Sequence, residues 1–291
     1  MKYNGWLIYN AEDAQRNEAF IRWMKTEAAA LGIELTFLLK EHLLYGVTGG
    51  ALFISHRGKH IQLPDFVIMR NIDPLFGRQL EAMGVRVMNT SSLSEIANNK
   101  ARTHQLLAQA NVPMIDTLFV KRNEFSPAVL PYTYPVVVKE VDGRSGKQVY
   151  AAATEQELTA LLEHVRSNEL IIQKMGDVPG KDVRVFVIGN NIVAAVLRFS
   201  STDFKANFSL GGSAQIYPLS AEETKLVHRI IRLFPDGLDF VGIDFLFAKD
   251  GSLLFNEIED VAGSRTLSAN TSINTVRLYL EYVLTALHAK N

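Results

Sequence analysis

The stretch Phe240–Glu259, FVGIDFLFAKDGSLLFNEIE, decides the fold of this chain. Two runs rich in β-branched and aromatic residues, Phe240–Ala248 and Ser252–Glu259, flank the dipeptide Asp250-Gly251. Asp-Gly between two apolar runs is a strong signal of a β-hairpin. The stretch therefore predicts two antiparallel strands that are joined by a two-residue loop.

Acidic side chains collect on one face of this hairpin. With a two-residue loop, Asp244 faces Glu257 directly, and Glu259, two residues further along, shares that face. Opposed side chains have Cβ atoms roughly 4.5–5.5 Å apart, where like charges repel. A proton, a lysine or a hard divalent cation could neutralise them, and oxygen ligands on rigid strands suit Mg²⁺. A solvated strand face is the alternative, and the hairpin alone leaves both interpretations open.

The composition excludes several classes of protein. The chain has 291 residues, of which 47% are hydrophobic and 21% charged, as in soluble globular proteins, and this length favours two or three domains. A net charge of −1 provides no electrostatic basis for a nucleic-acid partner. The chain has no cysteine, which excludes disulfides, thiolate nucleophiles and cysteine-ligated zinc.

The apolar runs are too short for a membrane protein. Val136–Val138 and Ile192–Leu197 are among the longest and fall far short of a bilayer span. The first ten residues, MKYNGWLIYN, lead directly into a strand pattern without the apolar region of a signal peptide. We therefore expect no membrane partner and a cytoplasmic location.

Strands and helices alternate in the N-terminal part, which indicates a parallel sheet covered by helices. Strands are predicted at Trp6–Tyr9, Glu34–Leu39, Asp65–Arg70 and Val85–Met88, and helices at Ala14–Ala30 and Leu75–Met83. This pattern assigns residues 1–95 to one α/β domain. Its apolar helical surface could bury a dimer interface, so a homo-oligomer stays open.

Two further units follow, of α+β character. Residues 96–175 are predicted to form a small unit with helices at Asn99–Ala110 and from Thr154 to Val165, and strands at Pro135–Glu140, Gln148–Ala151 and Leu170–Lys174. Residues 176–291 are predicted to contain the hairpin Asp182–Ile188 with Ile192–Phe199, a helix at Ser220–Phe234 capped by Ser220 and Glu223, the Asp-Gly hairpin, and a helix at Ile273–His288.

A glycine-rich loop, Asp142–Lys147 (DGRSGK), follows the strand that contains Lys139. Backbone N–H groups in such a loop can bind phosphate, although the loop lacks the Walker A sequence. Each feature alone is weak, since most Gly-Ser turns are only turns and a strand lysine usually reaches water. Together with the carboxylates, however, Lys139 and the basic residues of the glycine-rich loop match the requirements of a Mg²⁺-nucleotide complex.

Five stretches resemble the ATP-grasp superfamily, and within it the RimK-like amino-acid ligases, which add glutamate to carboxylates. They are Met69–Thr117, Val136–Val149 (VVVKEVDGRSGKQV), Leu170–Val193 (LIIQKMGDVPGKDVRVFVIGNNIV), Asp203–Ala214 (DFKANFSLGGSA), and GIDFLF with LLFNEIEDVAGSR in the C-terminal hairpin. The resemblance covers nearly the whole chain. It implies an ATP-grasp fold with an N-terminal parallel-sheet domain, a small lid subdomain and a C-terminal metal- and substrate-binding subdomain.

The resemblance also implies roles for individual residues. It places the α- and β-phosphates on Lys100 and Lys139, and the β- and γ-phosphates under Gly143, Ser145 and Gly146. It assigns the adenine slot to Gln173, Lys174 and Met175, the ribose side to Asp182, and the γ-phosphate to Lys205 and Asn207. It assigns Mg²⁺, with Mn²⁺ as an alternative, to Asp244, Glu257 and Glu259.

Two departures from the family pattern concern the acceptor. Glu259 stands where RimK-like enzymes usually have Asn, and the segment Asp260–Arg265 replaces a run of small residues. Since that segment faces substrate in the family, the identity of the carboxylate and amine substrates stays open.

The resemblance implies an ATP-dependent, ADP-forming carboxylate–amine ligase. A small-molecule or peptide carboxylate would attack the γ-phosphate, and an amine, expected to be that of an amino acid, would displace phosphate from the acyl phosphate. Lys139, Arg198 and Mg²⁺ would neutralise charge, and Arg265 or Arg184 would bind a substrate carboxylate. We expect Asp244→Asn or Glu257→Gln to abolish ADP formation and leave the fold intact. A kinase of the same fold, or a nucleotide-binding protein without turnover, is the alternative.

Overall fold

The computed structural model describes residues 2–144, 146, 148–200 and 213–289. Its strands form a parallel N-terminal sheet and three antiparallel sheets, with helices packed against them. This arrangement confirms the predicted combination of an α/β unit with α+β units. In these ranges, no helix has the length and apolarity that a membrane crossing requires.

The N-terminal sheet is built from short apolar strands. They are β1 (Asn4–Tyr9), β2 (Glu34–Leu39), β6 (Phe66–Met69) and β7 (Arg86–Met88). The strands are parallel in the order β2-β1-β6-β7, so β1 is central and buried from Gly5 to Tyr9. The helices around this sheet include α3 (Pro74–Ala82), which begins after the N-cap Asp73.

The helix expected over Ala14–Ala30 is two helices, α1 (Ala11–Arg16) and α2 (Glu18–Ala30). Asn17 separates them, with φ −116° and ψ 21°, and its Nδ2 donates to the carbonyl of Asp13 at 2.7 Å. An Asn side chain that bonds to a nearby backbone carbonyl competes with the regular helical pattern, which accounts for the break.

A small antiparallel sheet between β2 and β6 was not predicted. It consists of β3 (Leu43–Thr48), β4 (Ala51–His56) and β5 (Lys59–His60). The two turns use Gly49-Gly50 and Arg57-Gly58, all with positive φ. Gly-Gly between two strand-like runs is a recognisable hairpin signal, so this element could have been found from the sequence.

Two helices connect the N-terminal sheet to the rest of the chain. They are α4 (Ser91–Ala97) and α5 (Lys100–Gln109). Asn99 caps α5 by accepting a hydrogen bond from the backbone N–H of Arg102 at 3.0 Å. This cap begins the helix at Lys100, whose side chain is thereby placed in the first turn.

The second sheet has one apolar face and one face that carries functional groups. Its strands are β8 (Thr117–Lys121), β9 (Val136–Glu140), β10 (Val149–Ala152) and β11 (Glu169–Lys174), in the order β10-β9-β11-β8. Val136, Val138 and Ile172 pack toward α6 (Glu155–His164). Because side chains alternate along a strand, Val137, Lys139 and Gln173 lie on the other face.

The third sheet forms the largest unit. Its strands are β12 (Lys181–Gly189), β13 (Asn191–Phe199), β14 (Ser213–Ile216), β15 (Leu238–Phe247) and β16 (Leu253–Glu259), in the order β14-β13-β12-β15-β16. One face packs against residues of α4, α5 and α7 (Ala221–Ile231), and α7 has the predicted capping box of Ser220 and Glu223. The other face packs on α9 (Thr275–His288), which also contacts α2.

The C-terminal hairpin differs from the prediction at its loop. The loop has three residues, Lys249–Gly251, because the N–H of Ala248 donates to the carbonyl of Ser252 at 2.9 Å and Gly251 has φ +87°. Phe247 therefore pairs with Leu253, one residue away from the expected register.

A β-bulge then restores the predicted pair. The register shifts by one residue between Asp244 and Phe245, since Phe245 pairs with Phe255 whereas Asp244 pairs with Glu257. Asn256 is the extra residue on β16. The two-residue loop was thus wrong, and the pairing of Asp244 with Glu257 is confirmed.

Candidate active site

A cleft lies between the functional face of the second sheet and the third sheet. It contains about 850 Å³ of space, open solvent at its mouth included. Eleven of the residues predicted from the sequence line it: Lys100, Lys139, Gly143, Gly146, Gln173, Lys174, Met175, Asp182, Arg198, Asp244 and Glu257.

Two buried lysines approach the cleft from different elements. The Nζ of Lys100, at the start of α5, donates to the carbonyl of Gly143 and lies 3.4 Å from a carboxylate oxygen of Glu257. The Nζ of Lys139, on β9, donates to Oδ1 of Asn256 at 2.7 Å. Burial lowers the pKa of Lys139 to about 8. The negative charge of Glu257 acts in the opposite direction, and the positive charge of Lys100 lowers the pKa further.

The glycine loop closes one side of the cleft. At Gly143 a side chain would collide with its surroundings, since a Cβ there would lie 2.8 Å from Cβ of Gln148 and 3.1 Å from the carbonyl of Glu140. Gly146 has φ +70°, which favours glycine. Ser145, which was predicted to contact phosphate, and Lys147 lie outside the described residues.

Asp244 is buried between two arginines. Arg184 on β12 binds both of its oxygens at 2.7 Å, and Arg198 on β13 reaches Oδ2 at 2.7 Å. Burial raises the pKa of Asp244, but the two guanidinium groups outweigh it and the pKa is lowered. Arg198 also binds Asp182 through two hydrogen bonds of 2.6 and 2.8 Å. The arginines thus hold both carboxylates in place, and burial raises the pKa of Asp182 whereas the pKa of Asp244 is lowered.

Glu259 shares the strand face of Asp244 and Glu257, as predicted, and its role in metal binding stays a prediction. Its carboxylate forms an ion pair with Nη1 of Arg184, and the residue is not part of the cleft lining. Burial raises the pKa of Glu259, and the charges of Asp244 and Glu257 act in the same direction. Arg184, which was predicted to bind a substrate carboxylate, is therefore occupied by two carboxylates of the chain itself.

The donor set nevertheless suits a magnesium ion. In the described part of the chain, no three His, Asp or Glu side chains are grouped closely enough to hold a metal by themselves. Asp244, Asn256 and Glu257 provide oxygen atoms at one side of the cleft. Mg²⁺ usually takes one or two carboxylates and completes its shell with waters and phosphates, so a full protein cage is not required.

Part of the cleft lining is apolar. Met175 lies there with Ile115, Val137 and Leu246, while Gln173 contributes a polar side chain. The ammonium group of Lys174 points outward and forms an exposed ion pair with Asp116. An apolar slot with few polar groups, next to cationic and anionic groups, can accommodate a planar base beside its phosphates.

A profile of one family, described as the RimK-like ATP-grasp domain, matches residues 97–283. That match spans more than half of the chain and contains both lysines, the glycine loop and the carboxylates. The chain belongs to the RimK-like ATP-grasp family. The resemblance noted in the sequence is confirmed.

Relatives agree with this membership along the chain. N-acetylaspartylglutamate synthase A from Homo sapiens is 28% identical over 283 residues, which are 92% of this chain and 72% of the relative. The probable alpha-L-glutamate ligase from Vibrio vulnificus is 26% identical over 282 residues, which are 92% and 93% of the two chains. The ATP-grasp ligase PsnB, in complex with a variant of its minimal precursor, Mg and ADP, superimposes with a TM-score of 0.72 at 17% identity and covers 98% of this chain and 99% of that one. The superposition with PsnB shows the shared ATP-grasp fold.

Several predicted residues lie elsewhere in this ATP-grasp chain. Arg265, at the start of α8 (Arg265–Asn270), is exposed and donates to Oδ1 of Asn17 at 3.0 Å, so it contacts the N-terminal unit. Lys205 and Asn207 lie outside the described residues. The roles proposed for these three residues stay predictions.

The ATP-grasp cleft also contains residues that sequence reasoning missed. Asn256 is the bulged residue that binds Lys139, and no periodicity in the sequence indicates a bulge. Lys181 lines the cleft beside Asp182. His104 lies under the cleft, 2.7 Å from the carbonyl of Lys100, and its place one helical turn after a predicted phosphate lysine was the available signal.

Proposed function

We propose that the protein is an ATP- and Mg²⁺-dependent, ADP-forming carboxylate–amine ligase. One observation carries this proposal: two buried ammonium groups, a glycine loop and a pair of carboxylates on opposed strands line the same cleft. Membership of the RimK-like ATP-grasp family supports it.

The lysines and the glycine loop would bind the phosphates. Lys100 and Lys139 supply positive charge at the cleft wall, and the backbone at Gly143 allows close approach. Asp244, Asn256 and Glu257 would hold Mg²⁺, which when bound supplies charge neutralisation between phosphate oxygens. Arg198, fixed by Asp182 and Asp244, would stabilise negative charge that develops on the transferred phosphoryl group.

The reaction then needs no covalent contribution from the protein. An oxygen of the substrate carboxylate attacks the γ-phosphorus, the bond to the β-phosphate oxygen breaks, and ADP leaves. The amine nitrogen attacks the acyl carbon of the resulting acyl phosphate, inorganic phosphate leaves, and the amine loses a proton. The protein positions the reactants and keeps water from the acyl phosphate.

We propose an amino acid, with glutamate first, as the amine substrate. The human and Vibrio relatives both have glutamate in their names. The carboxylate is a small molecule or a peptide. Self-association and a cytoplasmic location stay predictions from the sequence.

The test is a screen for ADP release over pairs of glutamate or other amino acids with carboxylates, with mass spectrometry of the products. A carboxylate labelled with ¹⁸O distinguishes a ligase from a kinase or a protein that only binds nucleotide. A ligase transfers one ¹⁸O to the released phosphate and yields an amide. A stable phosphorylated product without dependence on an amine, or nucleotide binding without turnover for every pair, would contradict the proposal.

A further inference from the structure

The small antiparallel sheet of β3, β4 and β5 presents apolar side chains to solvent. In the described part of the chain, eight large apolar side chains are exposed, and three of them, Leu44, Val47 and Leu52, lie on the hairpin of β3 and β4. A fourth, Leu75, lies in the first turn of α3, which packs on this hairpin. Half of these side chains are thus concentrated in one place, which is typical of an interaction surface.

The two edges of this sheet differ in their protection. Natural proteins protect free edges with charged side chains, proline or very short strands. The β5 edge is protected, because it has only two residues, Lys59 and His60. The β3 edge has six residues, Leu43–Thr48 (LLYGVT), and none of them is charged or a proline. Only the β3 edge is therefore suited to pair with another strand.

The register of the hairpin shows which backbone groups of β3 point toward β4. The N–H of Arg57 donates to the carbonyl of His42 at 2.8 Å, so this pair is hydrogen-bonded. Hydrogen-bonded pairs alternate with non-hydrogen-bonded pairs, so the pair of Gly46 and Phe53, four residues along, is hydrogen-bonded too. Nε2 of Gln79 confirms this, since it contacts the carbonyls of both Gly46 and Phe53, at 3.3 and 2.7 Å.

The backbone groups of Tyr45 and Val47 consequently point away from β4. The N–H and C=O of both residues form no hydrogen bond with another described residue. The preceding outward N–H, that of Leu43, is already used by the carbonyl of Lys40. The β3 edge thus offers two donors and two acceptors, which are placed symmetrically on either side of Gly46.

We propose that the β3 edge is a dimer interface, on which the β3 strand of a second copy pairs antiparallel around a two-fold axis at Gly46. In this register Tyr45 of each copy faces Val47 of the other. The free groups of the two copies then form four hydrogen bonds, and no donor or acceptor at the edge is left over. This inference does not depend on the proposed function.

The absence of charge on β3 favours a second copy as the occupant. In a two-fold symmetric contact, a charged residue near the axis meets its own like charge. The uncharged strand avoids this repulsion, and it brings Tyr45 and Val47 together as an apolar cross-strand pair, with Leu52 beside them on the same face. A single pair of strands buries a small area, so we expect a weak, concentration-dependent dimer.

The first experiment is sedimentation equilibrium of the full chain without nucleotide. A range from about 1 to about 200 µM covers dissociation constants in the micromolar range. We expect the apparent mass to rise from that of the monomer, 32.5 kDa, toward twice this value. A chain that stays monomeric over the whole range would overturn the proposal, whichever strand of another protein then covers the edge.

A charge on β3 should weaken the dimer. Val47→Lys places a lysine about 7–8 Å from its symmetry mate, diagonally across the two strands, and should raise the dissociation constant about tenfold or more. Val129→Lys is the matched control and should leave it unchanged, because Val129 lies in the 3₁₀ helix Pro127–Val129 and is 72% exposed, against 65% for Val47. An equal effect of both variants would overturn the β3 edge as the interface.

Disulfide cross-linking tests the register, since the chain has no cysteine of its own. Leu44 of one copy faces Thr48 of the other in a non-hydrogen-bonded pair, with Cα atoms about 4.5 Å apart, which a disulfide can span. A mixture of Leu44→Cys and Thr48→Cys should therefore form a mixed disulfide. Leu44→Cys alone should not, because the two copies of residue 44 lie about 13 Å apart along the strands. Equal cross-linking of Leu44→Cys with itself would overturn the register.

Discussion

Arg184 and Asp244 face each other across β12 and β15 and form two parallel hydrogen bonds of 2.7 Å. This fork geometry is the strongest form of pairing between a guanidinium and a carboxylate. Arg184 is also paired with Glu259, and Asp244 with Arg198. The carboxylate proposed to bind metal is therefore also the centre of a buried charge network that links four strands, β12, β13, β15 and β16.

Asp244→Asn should abolish ADP formation and also destabilise the fold, unlike the expectation from the sequence that the fold stays intact, because Asp244 binds two buried arginines. The substitution removes one of the two counter-charges from each of two buried guanidinium groups, because Arg184 keeps only Glu259 and Arg198 keeps only Asp182. Breaking one side of a buried ion pair typically costs about 3–5 kcal/mol. Urea denaturation of the variant and the wild type measures this difference. Glu257→Gln is the comparison, because the side chain of Glu257 is 35% exposed and its loss should cost less stability. Equal stability of the two variants would contradict the structural role of Asp244.

Glu257 and Glu259 should differ in their effect on metal dependence. Glu257 lines the cleft, whereas Glu259 is paired with Arg184 outside the lining. We expect Glu257→Gln, which loses a proposed ligand, to abolish ADP formation at the Mg²⁺ concentration that is half-maximal for the wild type, and to require more than about tenfold more Mg²⁺ for any recovery. Glu259→Gln loses only a neighbouring charge and should raise the Mg²⁺ requirement less than Glu257→Gln does. Titration of Mg²⁺ at saturating ATP measures both. Equal shifts in the two variants would make Glu259 a metal ligand after all.

The affinity for nucleotide should fall in alkaline solution. Burial lowers the pKa of Lys139 to about 8, so the ammonium is charged below that pH and loses its proton above it. Its attraction for phosphate is present at pH 7 and is lost as the pH rises through 8, so kcat/KM for ATP should fall about tenfold per pH unit there. Lys139→Arg remains charged over this range and should show a flat profile. A decline of the same slope in both proteins would assign the titration to another group.

Gly143→Ala should weaken ATP binding through the loop backbone. The new Cβ would lie 2.8 Å from Cβ of Gln148, so the loop must shift away from its position over the cleft. We expect KM for ATP to rise about tenfold, the order of one lost charge-assisted hydrogen bond. Gly251→Ala is the control: its φ of +87° makes the substitution cost about 1 kcal/mol of stability, yet it lies in the hairpin loop. An equal rise in KM for both variants would contradict the role of the glycine loop.

The C-terminal hairpin illustrates how far sequence patterns reach. The alternation of side chains and the Asp-Gly signal predicted correctly that Asp244 and Glu257 face each other. The loop of three residues and the bulge at Asn256 were not predicted, and their two shifts of register cancel at this pair. Packing across several strands determines where a bulge forms, and the local periodicity of the sequence does not indicate it.

The charge network shows the same limit. Asp182 and Arg184 are two residues apart, and the alternation of side chains along a strand puts them on one face of β12. It could not show that Arg184 would bind Asp244 and Glu259, because those partners come from strands more than fifty residues away. Likewise, Gln173 was expected at the base, but its contact with His104 on α5, 69 residues earlier in the chain, could not be predicted.

The sequence by itself determined most of the strands and helices, the family, and the chemical types of the groups at the site. These follow from periodicity, turn residues and motif spacing, which are local properties of the chain. The tertiary structure alone decided which charged groups form ion pairs and which side chains contact the carboxamide of Gln173. It also decided that Asn256 lines the cleft, whereas Glu259 and Arg265 are not part of the lining. Those outcomes depend on the distances between elements that only the packed core establishes, and on the requirement that buried polar groups find partners there.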